Sequence, residues 1–339
     1  MHLAVLGKTG ISVSRLGFGS LFTSVLGPGF EESKRAVHRA VELGINYFDT
    51  APAYANSEAV LGQILRDVKA PLFISTKLGG RPQPFDPRNK RQLIASCEES
   101  LRLLHRNVID VLFVHEPDRP LQYAWWTDPG AVAGPILDAL DELKRAGKVR
   151  FTGLGGTTCT EMAHCIDSGK FDVVLTAFNF SALFREALHE VLPAANRQRM
   201  GVVLGSVLQQ GALGRRYDDV VRQKPAWLSK PRQHQFLEFY RLLDDSGISI
   251  VELCLRFALA EPAAHTVLIG PKTAAQVEAS VNAISKGLLP ADVRTRLDEI
   301  AAMVPFRPFE EPMILPLSNP KGYWGPGLAN LGAGAPVGK

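Results

Sequence analysis

Four residues of this chain could share one piece of chemistry: a carboxylate (Asp49), a phenol (Tyr54), an amine (Lys77) and an imidazole (His115). Asp49 closes the run Ile45-Asn46-Tyr47-Phe48, and Tyr54 follows on a short loop broken by Pro52. Lys77 closes Leu72-Phe73-Ile74-Ser75-Thr76, and His115 closes residues 108–114. A free phenol has a pKa of about 10 and a lysine about 10.4, so neither exchanges protons readily at neutral pH. An ammonium beside the phenol favours phenolate and lowers its pKa, and a carboxylate paired to that lysine fixes it and keeps it charged. A histidine alongside can orient a carbonyl or complete a proton relay. The set lacks an obvious nucleophile, so it suits hydride transfer, in which a cofactor carries the carbon chemistry. Singly, each residue has a plainer use: a capping aspartate, a solvated lysine, a structural histidine, a packed tyrosine. Their coincidence at the ends of three successive strands points to a shared site.

The elements that must position them alternate. Residues 3–6 and 11–14 flank Gly7-Lys8-Thr9-Gly10, a hairpin signal. Eight strands follow, starting at Leu16-Gly17-Phe18-Gly19-Ser20 and continuing near 45–48, 72–76, 108–114, 149–152, 172–176, 201–205 and 265–269. Helical spacing follows each strand, as at Ala36, Val37, Ala40 and Val41. The interval from Gly205 to His265 is long and must hold extra helix or loop. Glycines precede strands at Gly44, Gly147, Gly169 and Gly201, the positions of helix C-caps. Strict alternation implies a parallel sheet, and eight units favour a closed α/β barrel, the (β/α)8 TIM barrel. No G-x-G-x-x-G follows the first strand, as a dinucleotide-binding open sheet would need. Barrel chemistry sits at the C-terminal ends of the strands, where Asp49, Lys77 and His115 fall. The expected organisation is a barrel over 1–317 and a Gly/Pro-rich tail over 318–339, extended or disordered, in which Tyr323 and Trp324 could dock.

The chain has 339 residues, 46% of them apolar and 21% charged, with a formal charge of +4. This is the composition of a soluble globular protein, and no block of like charges suggests a nucleic-acid or membrane partner. Cys97, Cys159, Cys165 and Cys254 are scattered without C-x-x-C spacing, which reads as buried thiols in a reducing compartment and not as a metal site. No apolar run approaches membrane-spanning length, and the expected location is cytoplasmic.

With these residues in view, the chain resembles the aldo-keto reductase family of nicotinamide-dependent oxidoreductases. Residues 44–58 match its signature G-x-N-x-F-D-T-A-x-x-Y-x-x-S-E at every fixed position, Ser75-Thr76-Lys77 matches its strand end, and Asp110 to His115 matches its Asp-x-x-x-x-His pattern. The resemblance implies that Tyr54 is the general acid/base, Lys77 its pKa-lowering neighbour, Asp49 the partner of Lys77 and His115 the orienting group. It implies NADP(H), or NAD(H), with Lys272 and Thr273 at a 2′-phosphate, Gln276 and Ser280 at adenine, and Gly270 leading into that segment. Residues 206–214, including Ser206, Leu208, Gln210 and Gly211, resemble the loop that covers the pyrophosphate, and Phe178 aligns with a stacking aromatic. The sequence departs from the family at Gly155, Gly156 and Leu175, where a Ser-Asn pair and a Gln usually hold the carboxamide. Thr157 or backbone groups are expected to take that place.

Loops after the first, third and fourth strands should line a pocket for a small carbonyl or alcohol, with Phe22, Trp125 and Trp126 as an apolar wall and Arg81 as an anion handle. The same residues would serve a sugar or aldose 1-dehydrogenase. A regulatory protein that retains the fold and cofactor, like the potassium-channel β-subunits, and an aldolase using Lys77 as a Schiff base are the readings from other classes.

Overall fold

The computed structural model describes residues 1–308 and 311–317. A hairpin of β1 (Leu3–Val5) and β2 (Ser12–Ser14) opens the chain, pairing antiparallel. Eight further strands follow: β3 (Leu16–Gly19), β4 (Tyr47–Asp49), β5 (Phe73–Leu78), β6 (Ile109–His115), β7 (Val149–Gly156), β8 (Val173–Ala177), β9 (Gly201–Gly205) and β10 (Thr266–Ile269). They form a closed parallel barrel in sequence order, with β10 returning to β3 through Val267↔Leu16 and Ile269↔Phe18. The expected (β/α)8 barrel is therefore present.

Helices α1 (Phe30–Glu42), α2 (Ser57–Leu65), α3 (Lys90–Leu104), α4 (Pro135–Arg145), α5 (Cys159–Asp167) and α6 (Val191–Arg197) separate the first seven barrel strands. The long interval before β10 holds α7 (Asp218–Gln223), α8 (Lys230–Ser246) and α9 (Ile250–Leu259). Helices α10 (Ala274–Ser285) and α11 (Ala291–Ala302) follow the last strand. The helices bury apolar stripes, as Ala36, Val37 and Ala40 do on α1 and Leu93, Cys97 and Leu101 on α3.

The hairpin closes one end of the barrel. Its Leu6, Ile11 and Val13 join Tyr47, Val111, Phe113, Val173, Leu175, Val203 and Leu268 in the barrel's inner core. Gly7, with φ of 50°, lies so close to β9 that an added Cβ would stand 2.2 Å from the Gly201 nitrogen. Asn46 ties the hairpin to β4: its Oδ1 accepts from the Ser14 amide at 2.7 Å and its Nδ2 donates to the Ser12 carbonyl at 3.0 Å. The plug sits at the strands' N-terminal ends, so the loops after the strands own the opposite mouth.

Strand β7 runs four residues further than its sequence suggests. Its glycines are poor strand formers, yet Gly153, Leu154 and Gly155 pair with Phe113, Val114 and His115 on β6. A Cβ on Gly153 would meet the Phe113 ring at 2.5 Å, so the missing side chain makes room for that ring. At the far end of the described chain, Leu315 and Leu317 are buried and Glu311 pairs with Arg232 of α8 at 2.8 Å. Residues 318–339, with Tyr323 and Trp324, lie outside the described residues. Among the described residues, no helix is long and apolar enough to cross a membrane.

Candidate active site

The barrel brings Asp49, Lys77 and His115 to the ends of β4, β5 and β6, and sets Tyr54 on the loop beyond β4. Lys77 is 1% exposed. Its Nζ donates to Asp49 Oδ2 and to the Thr50 carbonyl, both at 2.7 Å, while Asp49 Oδ1 accepts from Ser75 Oγ at 2.7 Å. Burial works against the ammonium and is the largest single effect, but the Asp49 carboxylate and Tyr54 together outweigh it, and the Lys77 pKa is raised above its ordinary value. The lysine is thus a fixed positive charge.

That charge stands 4.8 Å from the centre of the Tyr54 ring. It pulls the phenol's pKa down as expected. Loss of solvent around the hydroxyl is the larger effect, Asp49 adds to it, and the net shift is upward. The sequence-based expectation of a lowered phenol pKa is corrected here: Lys77 limits the rise. The His115 ring meets Tyr54 edge-on, with centroids 6.1 Å apart at 83°. Burial, Lys77 and Arg119 hold His115 down to about 3, so it is neutral at physiological pH. Among the described residues, its buried Nδ1 has no hydrogen-bond partner. A neutral imidazole can orient a carbonyl but does not bring a titrating charge.

The other signature residues build the support. Gly44 adopts φ of 86° at the turn into β4. Ser57 Oγ donates to the Ser20 carbonyl at 2.7 Å and lies 2.9 Å from Thr50 Oγ1. Glu58 accepts from Thr76 Oγ1 at 2.6 Å and pairs with Arg81 at 2.8 Å. These contacts fix the residues on either side of Lys77 and Tyr54, which is the rigidity a proton-transfer pair needs.

A second polar group escapes a reading by strand ends. After His115 come Glu116, Pro117, Asp118 and Arg119. Asp118 Oδ2 accepts from the amides of Thr157 at 2.9 Å and Thr158 at 2.5 Å, capping the start of α5. Glu116 Oε2 accepts from Thr157 Oγ1 at 3.1 Å and pairs with Arg119 Nε at 3.1 Å. Burial and Asp118 push the Glu116 carboxyl up to about 7, against Arg119 and the Thr157 hydroxyl. Three charges within four positions of a strand-end histidine were the available signal.

Residues 15–302 match the Aldo/keto reductase family. This chain belongs to that family. It is 30% identical to L-galactose dehydrogenase of Arabidopsis thaliana over 298 residues, covering 84% of this chain and 89% of the relative. It is 26% identical to D-threo-aldose 1-dehydrogenase of Pseudomonas sp over 286 residues, covering 75% and 81%. It is 23% identical to a putative voltage-gated potassium channel subunit beta of Schizosaccharomyces pombe (strain 972 / ATCC 24843) over 330 residues, covering 88% and 93%. As an aldo/keto reductase, the protein is an NAD(P)-dependent oxidoreductase.

The residues present fit a phosphate-bearing cofactor. Lys272 is exposed just before α10, with Nζ 4.5 Å from the Phe22 ring centre, and Thr273 caps that helix by accepting from the Gln276 amide at 3.2 Å. A cation at a helix N-terminus is phosphate-binding chemistry. Gln276 Oε1 is engaged by the Lys272 amide at 2.7 Å, and Ser280 Oγ donates to the Gln276 carbonyl at 2.8 Å. Gly270 lies beside Phe22, which a Cβ there would reach at 3.5 Å. After β9, Ser206, Gln209, Gln210 and Gly211 have φ of 54°, 51°, 47° and 98°. Leu208 and Ala212 keep ordinary backbone conformations, and the amides of Gln209, Gly211 and Ala212 close the turn on the Ser206, Leu208 and Gln209 carbonyls. Phe178 is buried, with φ of 69°.

Three expected contacts are corrected. Trp125 is fully buried and donates its indole N–H to the His115 carbonyl at 2.8 Å; Trp126 donates to the Pro117 carbonyl at 3.1 Å. They pin the strand end from within and do not form an exposed wall. Arg81 is no free anion handle, since Glu58 and Ser100 Oγ, at 2.8 and 2.7 Å, occupy it. Thr157 has given its amide to Asp118 and its hydroxyl to Glu116 and Arg119, so it is not free to hold a carboxamide. A Cβ at Gly156 would stand 2.3 Å from Asp118 Oδ1, which explains the glycine where the family carries a side chain.

Proposed function

We propose that this protein interconverts a small carbonyl compound and its alcohol with NADP(H), using Tyr54 as the general acid/base. The observation that carries the reading is the buried Asp49–Lys77 pair beneath the Tyr54 ring, with neutral His115 edge-on to the same phenol. A bound nicotinamide supplies or accepts the hydride.

The residues of the chain supply the rest. His115 offers a neutral N–H to the carbonyl oxygen and sets its direction. Tyr54, protonated at neutral pH, gives its proton to that oxygen as negative charge develops on it, and Lys77 stabilises the phenolate left behind. Asp49 holds Lys77 in place and charged through both directions of the reaction. In oxidation the phenolate takes the alcohol proton, so the raised phenol pKa favours reduction at neutral pH and oxidation at alkaline pH.

Lys272 and Thr273, with the α10 N-terminus, would hold a 2′-phosphate; Gln276 and Ser280 the adenine; the segment from Ser206 to Gly211 the pyrophosphate; Phe178 the nicotinamide face. Phe22, beneath Lys272, would border both cofactor and substrate. The preference for NADP(H) rests on Lys272. Lys272→Ala should weaken NADPH binding by about tenfold, as expected for the loss of a charge-assisted phosphate contact, and leave NADH binding nearly unchanged. Equal effects on the two cofactors would contradict the phosphate role. A second reading, an aldose 1-dehydrogenase, is favoured by the similarity to L-galactose dehydrogenase. Initial rates on aldehydes, ketones and sugars in both directions separate the two.

A further inference from the structure

Glu116 follows the orienting histidine directly, and transfer of a proton through Tyr54 gives it no part. It is 4% exposed and sits at φ of 50°, a left-handed conformation that costs a glutamate energy and is held only where neighbours impose it. One carboxylate oxygen is fully employed: Oε2 takes the Thr157 hydroxyl and the Arg119 guanidinium, each at 3.1 Å. Arg119 is itself braced by Thr157 Oγ1 at 2.8 Å and by Met313 Sδ at 3.2 Å. The other oxygen, Oε1, makes no hydrogen bond among the described residues and faces His115, 4.0 Å from Nε2.

We infer that Glu116 is a specificity-determining residue whose Oε1 accepts a hydrogen bond from a hydroxyl on the carbon next to the reacting one, so that the site selects hydroxylated, sugar-like carbonyl compounds. The inference rests on the proposed role of His115 at the carbonyl oxygen. With Nε2 directed to that oxygen, an acceptor 4.0 Å away is placed for an oxygen on the adjacent carbon. An aliphatic aldehyde would leave Oε1 desolvated and unpaired, whereas a vicinal hydroxyl would satisfy it. Sites built to bond a hydroxyl discriminate strongly against analogues that lack it.

The charges around the carboxylate favour a hydrogen-bond donor as its partner. Asp118, from the same loop, disfavours a second negative charge, while Arg119 and Lys77 of β5 oppose that effect. His115 of β6 is neutral, and the Tyr54 and Tyr123 phenols complete the ionisable neighbours. A ligand hydroxyl pairs with this oxygen without adding charge. A ligand carboxylate would be repelled by both acids.

The test compares glyceraldehyde with propanal, which differ by their hydroxyls at equal chain length, as kcat/KM with NADPH for wild type, Glu116→Gln and Glu116→Ala. NADPH fluorescence on binding reports that each variant is folded. The wild type should prefer glyceraldehyde. Glu116→Ala should reduce that preference about 10- to 100-fold, mainly by raising KM for glyceraldehyde, and Glu116→Gln, which keeps an acceptor oxygen, should lose less. A preference unchanged in both variants overturns the inference and leaves the reductase reading intact. Failure of NADPH-bound wild type to reduce either aldehyde overturns that reading and the inference with it.

Discussion

Lys77 is charged in a place where an isolated ammonium would lose its proton. Burial opposes it, and the Asp49 carboxylate at 2.7 Å, with Tyr54 beside it, keeps it cationic. The same low-dielectric surroundings act on the neighbours in opposite senses, holding His115 neutral and Tyr54 protonated. Glu116 is the costly member. Its carboxyl is pushed up from 4.5 to about 7, so the folded state holds its proton more tightly than the unfolded chain does. Its contribution to stability is therefore fully present below the unfolded value and is lost as pH rises through about 7. Glu116→Gln, which mimics the protonated acid, should raise stability at pH 8 by up to about 3 kcal/mol and change little at pH 4. Thermal melts at the two pH values check this; an equal shift at both would contradict the assigned ionisation.

At the scale of elements, the strand ends and the loops differ in how far they could be read. A strand end is encoded locally, by an apolar run and the polar residue that closes it, so Asp49, Lys77 and His115 were legible with their barrel. So were the hairpin and the eight strands, because period and glycine punctuation are local too. Contacts between loops were not. Arg81 meets Glu58, and Trp125 meets the carbonyl of His115, through folding of segments whose spacing carries no pattern. The end of β7 was missed for a related reason: its glycines look like a loop until Phe113 and Asp118 are set against them. Gly156→Ala tests that packing. The new methyl would collide with Asp118 Oδ1 and with Met162 Sδ, at 2.3 and 2.4 Å, and displace the carboxylate that caps α5. A loss of about 1–3 kcal/mol is expected for such overpacking, read from the urea midpoint. An unchanged midpoint would mean that Asp118 moves aside freely.

At the scale of the molecule, the barrel is closed below by the hairpin and bordered above by residues 311–317. Met313 reaches Arg119, whose other contacts hold Glu116, and its carbonyl accepts from Arg307 at 2.8 Å. The segment is anchored by Glu311 on Arg232, a pair buried almost completely. Glu311→Ala would leave that guanidinium buried without its counter-charge, a change that costs about 3–5 kcal/mol, whereas Glu311→Gln should cost less. Denaturant unfolding of the two variants measures the difference, and equal, small losses would show the anchor to be dispensable. Stability and chemistry meet at Tyr54, which the whole barrel serves to place. The most direct measurement is NADPH-dependent reduction by Tyr54→Phe beside wild type, with cofactor binding followed separately by fluorescence. The proposed chemistry predicts retained NADPH binding and a kcat lowered by at least about 100-fold, the usual scale of a lost general acid. Turnover within a few-fold of wild type would contradict the assignment of Tyr54 as the proton donor.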